Sequence, residues 1–143
     1  MSGGLIVVTG LIVVIALGLI LVRKLREDKI EALLKKRRNV AKVSQIALYV
    51  EGPSQVPVAL TLTKSMLFYE NEDLQASLEL ARINEVEYDD DVSTAQSSAH
   101  GRVLRLRSHG QVFEFILRKE NAAEFEEHLP AHHIDQPGGV QVV

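Results

Sequence analysis

The sequence predicts an α+β chain in which a single N-terminal transmembrane helix is followed by a small antiparallel β-barrel capped by a C-terminal helix. Three observations carry this expectation. Residues 5–22 are apolar and uncharged, apolar residues recur at every second position from Val43 onward, and the stretch after Arg118 returns to a helical pattern that Pro130 stops. A length of 143 residues allows one compact domain plus an attachment and excludes two large domains. The sequence has no cysteine, which excludes disulfides, thiolate zinc sites and cysteine nucleophiles.

Residues 5–22, LIVVTGLIVVIALGLILV, carry one polar side chain, Thr9, over eighteen positions. At ~1.5 Å per residue the run reaches about 27 Å, close to the ~30 Å hydrocarbon core of a bilayer. A buried soluble helix is rarely apolar on every face. A cleaved signal peptide starts basic, has a shorter apolar core and ends in small residues, whereas this run is preceded by MSGG and followed by RKLREDK. Every basic residue near the span follows it, so the chain is expected to be a single-pass inner or plasma membrane protein with its N-terminus outside and its domain in the cytoplasm. Gly10 and Gly18 have Val14 midway between them, which is ordinary glycine usage in a membrane helix and not a small-xxx-small motif.

The formal charge of −3 conceals a division. Residues 23–42 hold nine bases against three acids, a balance of +6, whereas from residue 43 onward seven bases face sixteen acids, a balance of −9. A basic collar and an acidic domain are expected to meet different partners. The collar lacks glycine and proline, shows a partial apolar stripe of Leu25, Ile30, Leu33, Leu34 and Val40, and pairs Glu31 with Lys35 at i, i+4, so the span is expected to continue as one helix. Arg23, Lys24, Arg26, Lys35, Lys36, Arg37 and Arg38 are its membrane-proximal bases. They suit anionic headgroups, at about 1 kcal/mol each near the surface, or serve only as a topology signal on a solvated helix. The expected division is 1–22 for the N-terminus and span, 23–42 for the basic helix or linker, 43–130 for the domain and 131–143 for a flexible tail.

Within the domain, SQIALYVEG sets Ile46, Leu48 and Val50 on one face, VPVALTLTKS sets Val58, Leu60 and Leu62, and SMLFYEN sets Met66 and Phe68. ASLELARINEVEYDDD supplies Leu78 and Leu80, then Ile83, Val86 and Tyr88. GRVLRLRSHGQVFEFILRK supplies Leu104 and Leu106, then Phe113, Phe115 and Leu117, across a turn at SHGQ where Gly110 is free to take a positive φ. Six or seven antiparallel strands are expected. KENAAEFEEHLP reads as a helix with Asn121 as N-cap, Ala122, Phe125 and Leu129 on one face, and Pro130 as its stop. A meander closed by one amphipathic helix packs as a strongly bent sheet with that helix over its open end.

Over residues 43–129 this order resembles the bacterial pleckstrin-homology-like and GRAM-like domains. LTLTKSMLFYEN looks like their strand, turn and strand, SLELARINEVEY is similar to their l…I..v segment, and RVLRLRSHGQVFEFILRKENAAEFEEHL looks like their closing hairpin and capping helix. The resemblance implies a pleckstrin-homology-like barrel acting as a binding or scaffold module, often beside a membrane segment, with no enzymatic activity and no cofactor. Phosphoinositide recognition needs bases converging from the first strand pair, but the corresponding VEGPSQVPV carries Glu51 and no base, with only Lys64 at the end of the next strand.

The acids Glu85, Glu87, Asp89, Asp90 and Asp91 lack the spacing and central glycine of a calcium loop and read as a solvated turn. Arg102, Arg105 and Arg107 either oppose these acids across strands or form an exposed strip. With Asp89, Asp90 and Asp91 they are the candidate partner-binding residues. His128, His132 and His133 lie close in sequence, but Pro130 separates them, so no metal site is expected. No nucleophilic serine motif, phosphate-binding glycine loop or basic aromatic nucleic-acid surface is present. The function expected is a membrane-anchored, non-enzymatic docking or scaffold module for a protein partner. The alternatives are an accessory structural subunit of a larger membrane complex, and an anionic-lipid or phosphoinositide module.

Overall fold

A computed structural model of the chain describes residues 2–90 and 101–133. Helix α1 (Ser2–Lys36) is unbroken for 35 residues, so the apolar run and most of the basic collar form one rod of about 52 Å. It is long and apolar enough to cross a membrane, and its apolar window is bare of protein contact. Thr9 donates its hydroxyl to the Leu5 carbonyl at 2.8 Å, which satisfies the one polar side chain of the run within the helix itself.

After a turn at residues 37–40 the chain enters an antiparallel meander: β1 (Val43–Glu51), β2 (Ser54–Leu62), β3 (Met66–Glu70), β4 (Gln75–Glu79), a 3-10 turn (Leu80–Arg82), β5 (Ile83–Asp89), β6 (Arg102–Ser108) and β7 (Gln111–Leu117). Helix α2 (Lys119–His128) follows, then a two-residue β8 (His132–His133). All eight strands form one sheet in the order β4-β3-β2-β1-β7-β6-β5-β8, curled into a half-barrel. The expected six or seven strands fall short by β8, which pairs with Glu85 and Val86 of β5 just past Pro130.

The turns follow from their residues. Gly52 takes φ 59° ahead of Pro53 in the β1–β2 hairpin, and His109 and Gly110 take φ 52° and 75° between β6 and β7, as a primed two-residue turn requires. Thus most of VEGPSQVPV is strand and not loop. Pro57 sits in β2 opposite Leu48, in a non-hydrogen-bonded pair, so its missing N–H faces the flank beyond the end of β3. A register shift between Ile83 and Glu85 lets Ile83 and Val86 both point inward although they are three positions apart.

The core lies in the hollow of the sheet. Val58, Leu60, Leu62, Leu67, Leu104, Leu106, Phe115 and Leu117 line it, and Ala122, Phe125 and Leu129 of α2 cover it. Tyr49, Tyr69 and Phe115 pack in tilted and edge-on pairs with 5.1–5.3 Å between ring centres. In β1 and β3 the structure decides which face is inside. Ile46, Leu48 and Val50 do share a face of β1, but the core side is Val43, Gln45, Ala47 and Tyr49; in β3 the core takes Leu67 and Tyr69, leaving Met66 and Phe68 half-buried on the other side. The reason is that the outer surface here is not all solvent. Helix α1 lies over β2, so Ala59 and Thr61 on its outer face are as buried as Val58, Leu60 and Leu62 inside.

Helix α2 begins earlier than expected. Arg118, not Asn121, is the N-cap residue, in extended conformation and without a side-chain cap. The Gln45 side chain accepts the Arg118 N–H and donates to the Asn121 carbonyl, bridging the gap where β1 and β7 separate after only two paired positions. That fixture starts the helix directly at the end of β7.

Candidate functional site

Helix α1 and the sheet meet along a seam of three fixed points. Ile30 is the buried residue of α1, at 4% exposure, with Leu33 and Leu34 half-buried beside it. Lys29 pairs with Glu72 in the β3–β4 turn at 2.5 Å. Arg37, just past the helix, makes a two-point contact with Glu70, Nε to Oε1 at 2.5 Å and Nη2 to Oε2 at 3.2 Å, and lies 3.7 Å above the Phe68 ring. The hydrogen bond to Glu70 outweighs the cost of burial and raises the Arg37 pKa above the usual arginine value.

These contacts orient the sheet. Residues 26–30 are level with Val56, Pro57 and the β3–β4 turn, whereas Arg37 is level with Phe68 and Glu70. The eight steps from Lys29 to Arg37 advance ~12 Å at the helical rise, and the four steps from Pro57 to Thr61 advance ~13 Å along the strand. Thus α1 and β2 run the same way, and the β1–β2 and β3–β4 turns face back toward the apolar run. Of the basic collar, Arg23, Lys24, Arg26, Lys35, Lys36 and Arg38 are exposed, and Arg37 is held by the domain. Leu25 and Val40 of the apolar stripe are exposed.

The second feature is the outer face of β5, β6 and β7. Arg105, opposite Glu87 on one side and Glu114 on the other, reaches Glu87 at 3.1 Å, Glu114 at 3.2 Å and Asp89 at 3.3 Å, with only 14% of its side chain exposed. Burial opposes its charge, but the hydrogen bond to Glu87 and the field of Glu114 prevail, and its pKa lies above the ordinary value. Arg102 bridges Asp90 and Glu126, and Arg107 faces Glu85 at 3.6 Å. So the first of the two expectations for these arginines is met: they oppose acids across strands, and the strip is neutralised in place. Asp91 lies outside the described residues, as do His100 and residues 134–143 of the expected tail. Beside this ladder the same face turns apolar, where Leu48, Val50, Val103 and Ile116 form a separate small cluster.

The remaining candidates are local. His128 Nδ1 lies 2.9 Å from the Glu124 carbonyl, His132 Nδ1 2.9 Å from the Pro130 carbonyl, and His133 3.6 Å from Glu85. Among the described residues no three histidine or acid side chains are grouped to hold a metal. The Tyr88 hydroxyl donates to the Leu129 carbonyl at 2.7 Å, tying β5 to the end of α2. Burial, reinforced by Glu126, pushes its pKa well above the ordinary phenol value. Lys64 lies in the β2–β3 turn, at the opposite end of the sheet from the β1–β2 hairpin.

Sequence reasoning missed Glu70, Glu72 and Glu114, whose importance is as partners. Nothing in their spacing marks them, because their arginine and lysine partners are 33, 43 and 9 positions away. Compared with known protein families, with curated proteins and with solved structures, the chain matches none.

Proposed function

We propose that this chain is a single-pass membrane protein whose pleckstrin-homology-like domain stands in the cytoplasm as a non-enzymatic docking module for a protein partner. The order of a strand meander followed by a capping helix supports the pleckstrin-homology-like reading, and the position of all collar bases after the span supports the orientation. The observation that carries the docking reading is the outer face of β1, β7 and β6. There the half-buried Leu48 and Val50 lie over the buried Val103 and Ile116 in an apolar cluster outside the core, next to the paired charges of Arg105, Glu87 and Asp89. An apolar centre beside a polar rim is the composition of a protein interface. Because Ile30 and Arg37 tie α1 to the sheet, the patch is held at a fixed height above the bilayer.

The test is site-specific photo-crosslinking in intact membranes, with the probe placed at Leu48, at Lys64 or at Ile12. A discrete protein adduct from Leu48 and none from Lys64 is the expected outcome. Adducts from Ile12 alone would instead support an accessory subunit that meets its complex through the span, and equal adducts from Leu48 and Lys64 would refute a defined docking face.

A further inference from the structure

The seam between α1 and the sheet encloses a cleft of about 130 Å³ lined by Arg26, Lys29, Ile30, Pro57, Glu72 and Asp73 among others. We propose that this cleft binds the headgroup of a phosphatidylethanolamine-type lipid from the adjoining leaflet. The argument starts from charge. Lys29 and Glu72 neutralise one another across the cleft. That leaves Arg26 on one wall and Asp73 on the other, and neither side chain has an ion-pair or hydrogen-bond partner among the described residues. One free cation facing one free anion suits a ligand that carries both signs. A phosphodiester accepts from a guanidinium in a two-point geometry, and a primary ammonium donates to a carboxylate.

Depth then selects the source. Arg26 lies four residues beyond Val22, ~6 Å past the end of the apolar run, and the headgroup layer is about 5–8 Å thick on each side of the hydrocarbon. The guanidinium is therefore level with lipid phosphates. The Asp73 wall is rigid: the Asn71 side chain accepts the Asp73 N–H at 2.8 Å and donates to the Pro57 carbonyl at 3.1 Å. With Glu72 held by Lys29, a lipid of net negative charge would leave Asp73 uncompensated, and a choline headgroup has no N–H to donate to Asp73. The cleft thus separates the ethanolamine headgroup from both.

The inference rests on the membrane-spanning reading of α1, and the experiment separates the two. Carbonate extraction first tests whether the full chain stays in the membrane; release would refute the span and the lipid site together. With the chain retained, the purified full chain in mild detergent is titrated with phosphatidylethanolamine, phosphatidylcholine and phosphatidylglycerol, and bound lipid is counted by native mass spectrometry. The expected result is preferential binding of the ethanolamine lipid, reduced about tenfold by Arg26→Gln, with preference over the choline lipid lost in Asp73→Asn and no change in Lys64→Gln. Equal binding of the three lipids, or undiminished binding by Arg26→Gln, would overturn the proposal. So would displacement by water-soluble glycerophosphoethanolamine at the same concentration, which would assign the cleft to a soluble ligand.

Discussion

Replacing Arg37 by alanine tests whether the collar helix is part of the domain or merely precedes it. The guanidinium makes two bonds to Glu70 and covers Phe68, and the Glu70 side chain is only 6% exposed. Removing one partner of a fully buried pair costs about 3–5 kcal/mol, since the other charge is stranded. Here Arg37 is a quarter exposed, so water entering its place rehydrates Glu70 and lowers that figure to about 2 kcal/mol, with about 0.5–1 kcal/mol more for the lost cation–π contact. Glu70→Gln, which keeps shape and some hydrogen bonding, is expected to cost about 1 kcal/mol. The double variant should fall short of the sum by at least about 1 kcal/mol, because the second change strands nothing. The measurement is urea unfolding of the full chain in non-ionic detergent, followed by tyrosine fluorescence, since the sequence has no tryptophan. Urea is preferred to guanidinium because a salt would screen the pair. A loss under about 0.5 kcal/mol in Arg37→Ala, or additive single and double variants, would refute the reasoning and leave α1 undocked.

Three further outcomes follow from the same geometry. Phe125→Ala removes the fully buried ring by which α2 seals the core, and should cost about 3–5 kcal/mol, read as a lowered urea midpoint. Gly101→Ala should cost about 2 kcal/mol or more, because its Cβ would collide with the Leu117 carbonyl oxygen, a backbone atom with nowhere to go; an unchanged midpoint would contradict this. Tyr88→Phe should cost about 1 kcal/mol at neutral pH by leaving the Leu129 carbonyl without its donor. It should also alter the alkaline limb. Burial raises the folded Tyr88 pKa above the unfolded value of about 10, so its contribution is intact below that pH and lost as pH rises beyond it. Tyr49 and Tyr69 are raised by burial as well, so the diagnostic is a shallower decline above about pH 10 in Tyr88→Phe than in the unaltered chain.

The seam between helix and sheet was the least legible part of this chain from sequence, and the strands were the most. Alternation in β2, β6 and β7 set Leu60, Leu104 and Phe115 each on a shared apolar face, and in the fold those residues line the hollow. The eighteen uncharged residues marked the helix that is long enough to cross a membrane, and Pro130 marked the end of α2. Both signals are local: covalent geometry and the hydrocarbon thickness fix them without reference to the rest of the chain. In β1 and β3 the same rule left the inner side open, since both faces are apolar and a period of two says only which residues share a face, not which face is inside. Around β2 and β3 that was settled by α1 and Arg37 covering the sheet from outside, and in β1 by Leu48 and Val50 joining Val103 and Ile116 on the outer face. The fate of the charges was likewise tertiary. Arg105 and Arg37 are equally basic in sequence as Arg38, but pairing across β6 with β5 and β7, or across the α1 seam to β3, holds two of them in place and leaves the third in solvent. Sequence determines what each segment is, because propensity and hydropathy act over a few residues. Which surfaces meet depends on how the sheet curls and on the line along which the helix lies, and those are set by contacts between residues tens of positions apart.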